Sequence, residues 1–252
     1  MNENVKTAEL LEEKILKYLS EGKKLFNSNR IDEAFEKFDK ALELNINYAD
    51  TYLTKGEAYM KMFEIEEAEK CIKKYLKMNA NSYRGYMNMI EIYTMRGNFT
   101  KALKFCNKVL EQRKNDFLVY YKKAYILTQL SQIQEAIECY DKCIELNPYF
   151  YEAYCEKAEL LTACCNHEEA LEVYSKAISL EKNKVDAYIG KALTYVDLED
   201  YDNAFITIKR AYEIDPNDEW CKCHYSIIKN LIKHKKCSRN NKGIVIPFKS
   251  NI

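Results

Sequence analysis

Six tyrosines constrain this chain more than any other feature. Tyr18, Tyr52, Tyr86, Tyr120, Tyr154 and Tyr188 stand 34 residues apart, with no insertion or deletion between them. The chain holds 21 tyrosines in 252 residues, so six in one register do not arise by chance. Ala34, Ala68, Ala102, Ala136, Ala170 and Ala204 keep the same period, sixteen residues after each tyrosine. A fixed period of this length is the mark of stacked, like units that bury a core only against their neighbours.

Five further columns follow the same spacing. One is mostly small: Gly22, Gly56, Ile90, Ala124, Ala158 and Ala192. The next is large and apolar: Leu25, Tyr59, Tyr93, Leu127, Leu161 and Tyr195. Then come Phe38, Ile72, Cys106, Tyr140, Tyr174 and Ile208, followed by Ala41, Tyr75, Val109, Cys143, Ala177 and Ala211. Pro148 and Pro216 hold a last column, where the other units have Ile46, Ala80, Lys114 and Lys182. Each unit gives two amphipathic stretches with apolar residues at helical spacing, such as YEAYCEKAELLTA and EEALEVYSKAISL. The turns between them (NSNRID, RGNFT, LEDYD) carry the Asn, Gly and Asp that cap helices and close turns. Only three prolines and six glycines are present, too few for a turn-rich β fold.

This pattern resembles the tetratricopeptide repeat, a 34-residue unit with large, small and aromatic positions followed by Ala, aromatic, Ala and Pro. The resemblance covers six units, at 15–48, 49–82, 83–116, 117–150, 151–184 and 185–218. It implies an all-α fold: a right-handed α-solenoid superhelix of antiparallel helix pairs with a C-terminal capping helix. Residues 1–14 are expected to extend the first helix. Residues 219–236 are expected to cap the far end, with Trp220, Ile227, Ile228 and Leu231 as the buried side. Tyr replaces the tryptophan common at the first large position. Ile90 and Tyr75 replace small residues, so the second and third pairs are expected to pack slightly wider.

The neutral total of 39 basic and 39 acidic residues hides a split. No acid follows Glu219, while eight Lys or Arg do, so the repeats are acidic and the end basic. Residues 237–252 read as a basic, disordered tail that contains an apolar GIVIPF patch at 243–248. Such a tail is compatible with nucleic-acid or anionic-membrane association, or with docking on the chain's own acidic repeats.

In the resembled family the first helix of each unit lines a concave groove, through its second, fifth, ninth and twelfth positions. Carried onto this sequence, the groove includes Lys23, Leu53 and Glu57, then Arg84, Met87 and Glu91, then Tyr121 and Tyr125, and finally Glu152, Glu159 and Ile189, with Glu156 beside them. Tyr121 and Tyr125 lie four apart, on one helix face. Apolar and aromatic residues alternating with acids suit a peptide with basic and apolar side chains. The family's clamp for chaperone EEVD tails needs a defined Lys, Asn and Arg set. Thr54 and Leu19 stand where its middle Asn and first Lys belong, which argues against that partner. A mixed to acidic groove also argues against nucleic acid as its ligand.

The stretch from Cys139 to His167 packs five cysteines and a histidine into a short span. In the repeat register they scatter. Cys143 takes an alanine position, and Cys155 is separated from Cys164, Cys165 and His167 by a helix of roughly 14 Å, too far for one ion to join. In Cys221, Cys223 and His224 the helical spacing points the two sulfurs to different faces. No metal and no cofactor is expected. Three histidines, no GxxxxGK and no HExxH leave no catalytic constellation. There is no secretory signal and no apolar run long enough to span a membrane, so a cytoplasmic protein with reduced thiols is expected. The reading is a non-catalytic protein–protein interaction scaffold or adaptor, the alternative a peptide-responsive regulator.

Overall fold

The computed structural model describes residues 3–241, and the side chains of 7–233. Among them are thirteen helices and no strand. The first compact unit ends at Gln132. It contains α1 (Glu3–Asn27), α2 (Ile31–Leu44), α3 (Ala49–Lys61), α4 (Ile65–Met78), α5 (Tyr83–Met95), α6 (Phe99–Gln112) and α7 (Phe117–Gln129). The second begins at Ile133. It contains α8 (Ile133–Leu146), α9 (Tyr151–Ala163), α10 (His167–Leu180), α11 (Asp186–Asp197), α12 (Tyr201–Ile214) and α13 (Glu219–Asn241). Within each unit, consecutive helices pack as an all-α repeat solenoid.

The repeating tyrosine has a specific task. Tyr86 Oη donates to the Ala80 carbonyl at 2.5 Å, Tyr154 Oη to Pro148 at 3.1 Å, and Tyr188 Oη to Lys182 at 3.3 Å. The acceptor each time is the residue six back, in the proline column. One side chain thus packs its ring in the core and satisfies an orphan carbonyl at the link between hairpins. The repeating alanines, from Ala34 to Ala204, are wholly buried, which lets paired helices approach closely. Bulk is traded across each pair. A Cβ on Gly22 would stand 2.5 Å from Phe38, and one on Gly56 2.7 Å from Ile72. Where the small column holds Ile90, the facing column holds Cys106, and both are buried in one core cluster.

The turn inside each pair is also periodic. Asn29, Phe63, Gly97, Ser131, Cys165 and Glu199 all have φ between 55° and 69°. The residue after each donates its N–H to the carbonyl five back, as Arg30 does to Leu25 and Asn98 to Tyr93. This is the Schellman closure of a helix, which needs a left-handed residue. Only one unit meets that need with glycine.

Two more columns are buried from the second repeat onward. Thr51, Gly85, Val119, Ala153, Ala187 and Cys221 form one. Ala58, Ile92, Ile126, Leu160, Thr194 and Ile228 form the other. They lie seven apart on the first helix of each pair and face the hairpin before it; a Cβ on Gly85 would meet Leu76 and Tyr75 of α4. Cys221 and Ile228 place α13 in this register, as the first helix of a further unit. The expected buried side of that helix is therefore corrected. Trp220 and Ile227 are 65% and 48% exposed, while Cys221 and Ile228 are buried and Tyr225 stacks on Tyr212. Leu231 is half-buried. The helix passes the expected end at 236 and runs to Asn241, because no Gly or Pro interrupts it before Gly243. The rest of the basic tail, GIVIPF included, lies outside the described residues.

Candidate functional site

The groove positions of the first unit are largely neutralised within the fold. Arg84 donates through Nε and Nη2 to Glu57 Oε1 and Oε2 at 2.8 and 2.7 Å, and Asn88 adds a third bond at 3.2 Å. Lys122 pairs with Glu91 at 3.7 Å. Lys23, Glu57 and Arg84 line one cavity of about 250 Å³ with Phe26 and Lys61. Glu57 and Glu91 line another of about 460 Å³ with Met60, Phe63 and Met95. Met87 and Tyr121 are half-buried, and Tyr125 is 39% exposed. Leu53, expected in the groove, is only 3% exposed and belongs to the core with Tyr52 and Ile72.

The second unit differs. A cavity of about 540 Å³ is lined by Cys155, Glu159, Thr162, Tyr174, Asp186, Ile189, Leu193, Asp197 and Trp220. Ile189 and Glu159 were expected there; Ile189, 4% exposed, forms floor rather than rim. Thr162 and Thr194 share a hydrogen bond of 2.9 Å beside it. Glu152 is engaged by Lys184 at 3.1 Å. Glu156, on α9, is half-buried and faces Tyr140 of α8. Burial and the neighbouring Glu159 push its carboxyl above the ordinary range, against a hydrogen bond from Tyr140. Glu159, Asp186 and Asp197 have no ion pair or hydrogen-bond partner among the described residues.

Trp220 was expected in the core. The signal that finds it in the groove is one more step of the period: it stands 34 residues after Asp186, itself 34 after Glu152, both groove positions. The register thus runs on into α13.

Two of the thiols are poorly poised for chemistry. Burial pushes Cys155 up to about 11 and Cys143 up to about 12, so both stay protonated at neutral pH. Among the described residues no group of three or more His, Cys, Asp or Glu is placed to hold a metal ion. No described helix is long and apolar enough to cross a membrane.

Paired helices repeated at one period define an all-α repeat solenoid. Tetratricopeptide repeat family models match residues 49–82, 117–150, 151–184 and 185–218, more than half of the chain. The chain belongs to the tetratricopeptide repeat family. No curated protein matches it in sequence. Among solved structures, PilW, described as a widely conserved type IV pilus biogenesis factor, is similar at a TM-score of 0.71 and 14% identity, over 83% of this chain and 97% of its own. PilF of Pseudomonas aeruginosa gives 0.69 and 16%, over 87% and 98%. YrrB, described as a TPR protein with an unusual peptide-binding site, gives 0.57 and 22%, over 73% and 95%. These likenesses establish the shared fold.

Proposed function

We propose that this protein is a non-catalytic scaffold that binds a segment of a partner protein on its groove positions, and that the segment carries basic and apolar side chains. One observation carries the reading. Tyr125, Trp220 and Ile227 are 39%, 65% and 48% exposed, each at an expected groove position, and Trp220 lines a cavity with Glu159, Asp186 and Asp197. The peptide-binding site described for YrrB, on the same fold, supports it. Protonated, buried thiols and the absence of a metal grouping among the described residues give no support to catalysis. A cytoplasmic setting fits reduced thiols of this kind.

Purification of the chain with its partner from native cells, beside a Tyr125→Ala/Ile227→Ser variant, tests the proposal. Both side chains are exposed, so the variant should fold. The partner is expected to be lost from it, with recovery from the native chain unchanged by nuclease. Equal recovery by both chains would move binding off the groove, and nuclease sensitivity would favour the basic tail.

A further inference from the structure

We infer that the cavity of the second unit reads a single cationic side chain, arginine or lysine, presented between apolar neighbours on an extended peptide. The inference rests on the groove reading above and names the chemistry of one of its pockets.

The feature is a cavity with an apolar floor and an aromatic wall. Ile189, Leu193 and the ring of Tyr174 form the floor, and Trp220 the wall. The indole makes a T-shaped contact with the His224 ring at 4.8 Å and stays 65% exposed. An exposed indole face is the best side-chain partner for an organic cation. At about 540 Å³ the space exceeds one side chain, so apolar neighbours of the cation can lie on Ile189 and Leu193.

Charge complementarity selects the occupant. Glu57, Glu91 and Glu152 have cations of their own, in Arg84, Lys122 and Lys184. Glu159, Asp186 and Asp197 surround the cavity with none among the described residues. The lysine that α11 could offer, Lys191, is turned onto Ser175 at 2.7 Å. Like charges around low-dielectric walls focus a field that draws in a cation and repels an acidic peptide. The three carboxylates are not grouped as metal ligands. They flank a broad site instead, which fits a guanidinium or ammonium on a peptide.

Random nonapeptides displayed on phage and panned against the full chain provide the test. Trp220 is the only tryptophan, so its emission reports occupancy directly. Recovered peptides are expected to share an Arg or Lys beside apolar residues, and to shift Trp220 emission. Replacing that residue by citrulline or norleucine, or introducing Trp220→Ala, should weaken binding at least tenfold. Glu159→Lys with Asp186→Lys should do the same and remove its salt dependence. Peptides that bind the groove without a basic residue would overturn this inference and leave the groove reading standing. Binding that none of the groove substitutions alters would overturn both. Lys242→Glu with Lys249→Glu in the full chain should leave affinity unchanged; a tenfold rise would mean that the chain's own basic end fills the pocket, against a separate partner.

Discussion

The two halves of the molecule treat charge in opposite ways. Through Gln132, several carboxylates are held by cations of the fold: Arg84 holds Glu57, Lys122 holds Glu91, and Arg96 joins Glu66 to Glu69. From Ile133 onward the buried cation Lys157 is held by Asp141 and Glu169, both at 2.8 Å, yet the groove acids Glu159, Asp186 and Asp197 are left over. An ion pair inside the structure contributes to stability and is unavailable to a ligand. An acid left without one costs little at the surface and keeps its full field for a visitor. The contrast separates charges that hold the solenoid from charges that can recognise something.

The largest expected effect is at Glu69. It is 7% exposed and accepts from Tyr93 Oη at 2.8 Å, with Lys73 at 2.7 Å and Arg96 also paired to it. Burial alone would raise its carboxyl, but hydrogen bonds from Lys73 and Tyr93 win and hold it below the ordinary range. Tyr93 is pushed the other way, up to about 12, by burial and by that carboxylate. Glu69→Ala leaves Tyr93 and Arg96 without their shared acceptor and should cost about 3 kcal/mol in denaturant unfolding. Peptide affinity in the second unit should not move. A loss of affinity alongside stability would break the division between holding and recognising charges.

Next comes the reverse experiment. Glu159→Lys with Asp186→Lys should lower affinity for a basic peptide tenfold or more, about 1.4 kcal/mol, while unfolding stability falls by no more than about 1 kcal/mol, the cost of placing a cation at the N-terminus of α11. A matching loss of stability would place these acids with Glu69 as structural.

Much of this was legible in the sequence, and what was not has a physical reason. The tyrosine and alanine columns repeat by identity because their tasks are exact: a ring with a hydroxyl that must reach a carbonyl, and a contact where only a methyl fits. The columns facing the preceding hairpin escaped notice because they require burial without a fixed shape, so Thr51, Gly85, Val119, Ala153, Ala187 and Cys221 look unrelated. Extending them to Cys221 would have turned Trp220 outward into the groove. The pairing of Arg84 with Glu57, 27 residues away, follows no repeat and becomes visible only when the helices stand side by side. The groove positions are an expectation carried over from the resemblance to the family. Which of them are spent on the fold could not be read from spacing.

Glu156 sharpens the comparison through pH. Its folded carboxyl titrates above the ordinary glutamate value, from burial first and Glu159 second, whereas Glu69 titrates below it. The signs are opposite. Stability associated with Glu156 is present below the ordinary value and lost as pH rises through the raised one; that from Glu69 is present above the ordinary value and lost as pH falls. Glu156→Gln keeps an acceptor for Tyr140 and removes the charge. Melting temperatures at pH 7 should therefore rise in the variant, with little gain at pH 4. A cationic peptide should lower the raised value, so binding near it should release protons, measurable by calorimetry in buffers of different ionisation enthalpy. Proton uptake would mean that the ligand brings no positive charge near Glu156.

The smallest effect tests a residue the first half carries at a cost. Phe63 has φ of 61° and is 77% exposed, so its ring gains little burial in a backbone state that disfavours a bulky side chain. The same position is Asn29 one unit earlier and Gly97 one unit later, residues suited to it. Phe63→Asn should raise stability by about 0.5 kcal/mol, read from the shift in urea midpoint at unchanged slope. Phe63 also lines the cavity with Met60 and Met95, so the same variant asks whether that strain serves binding. If stability rises and peptide affinity is untouched, recognition rests on the second unit, where groove acids stand without cations. If affinity falls as stability rises, the first unit recognises too, through apolar surface, and the contrast between the halves is one of chemistry.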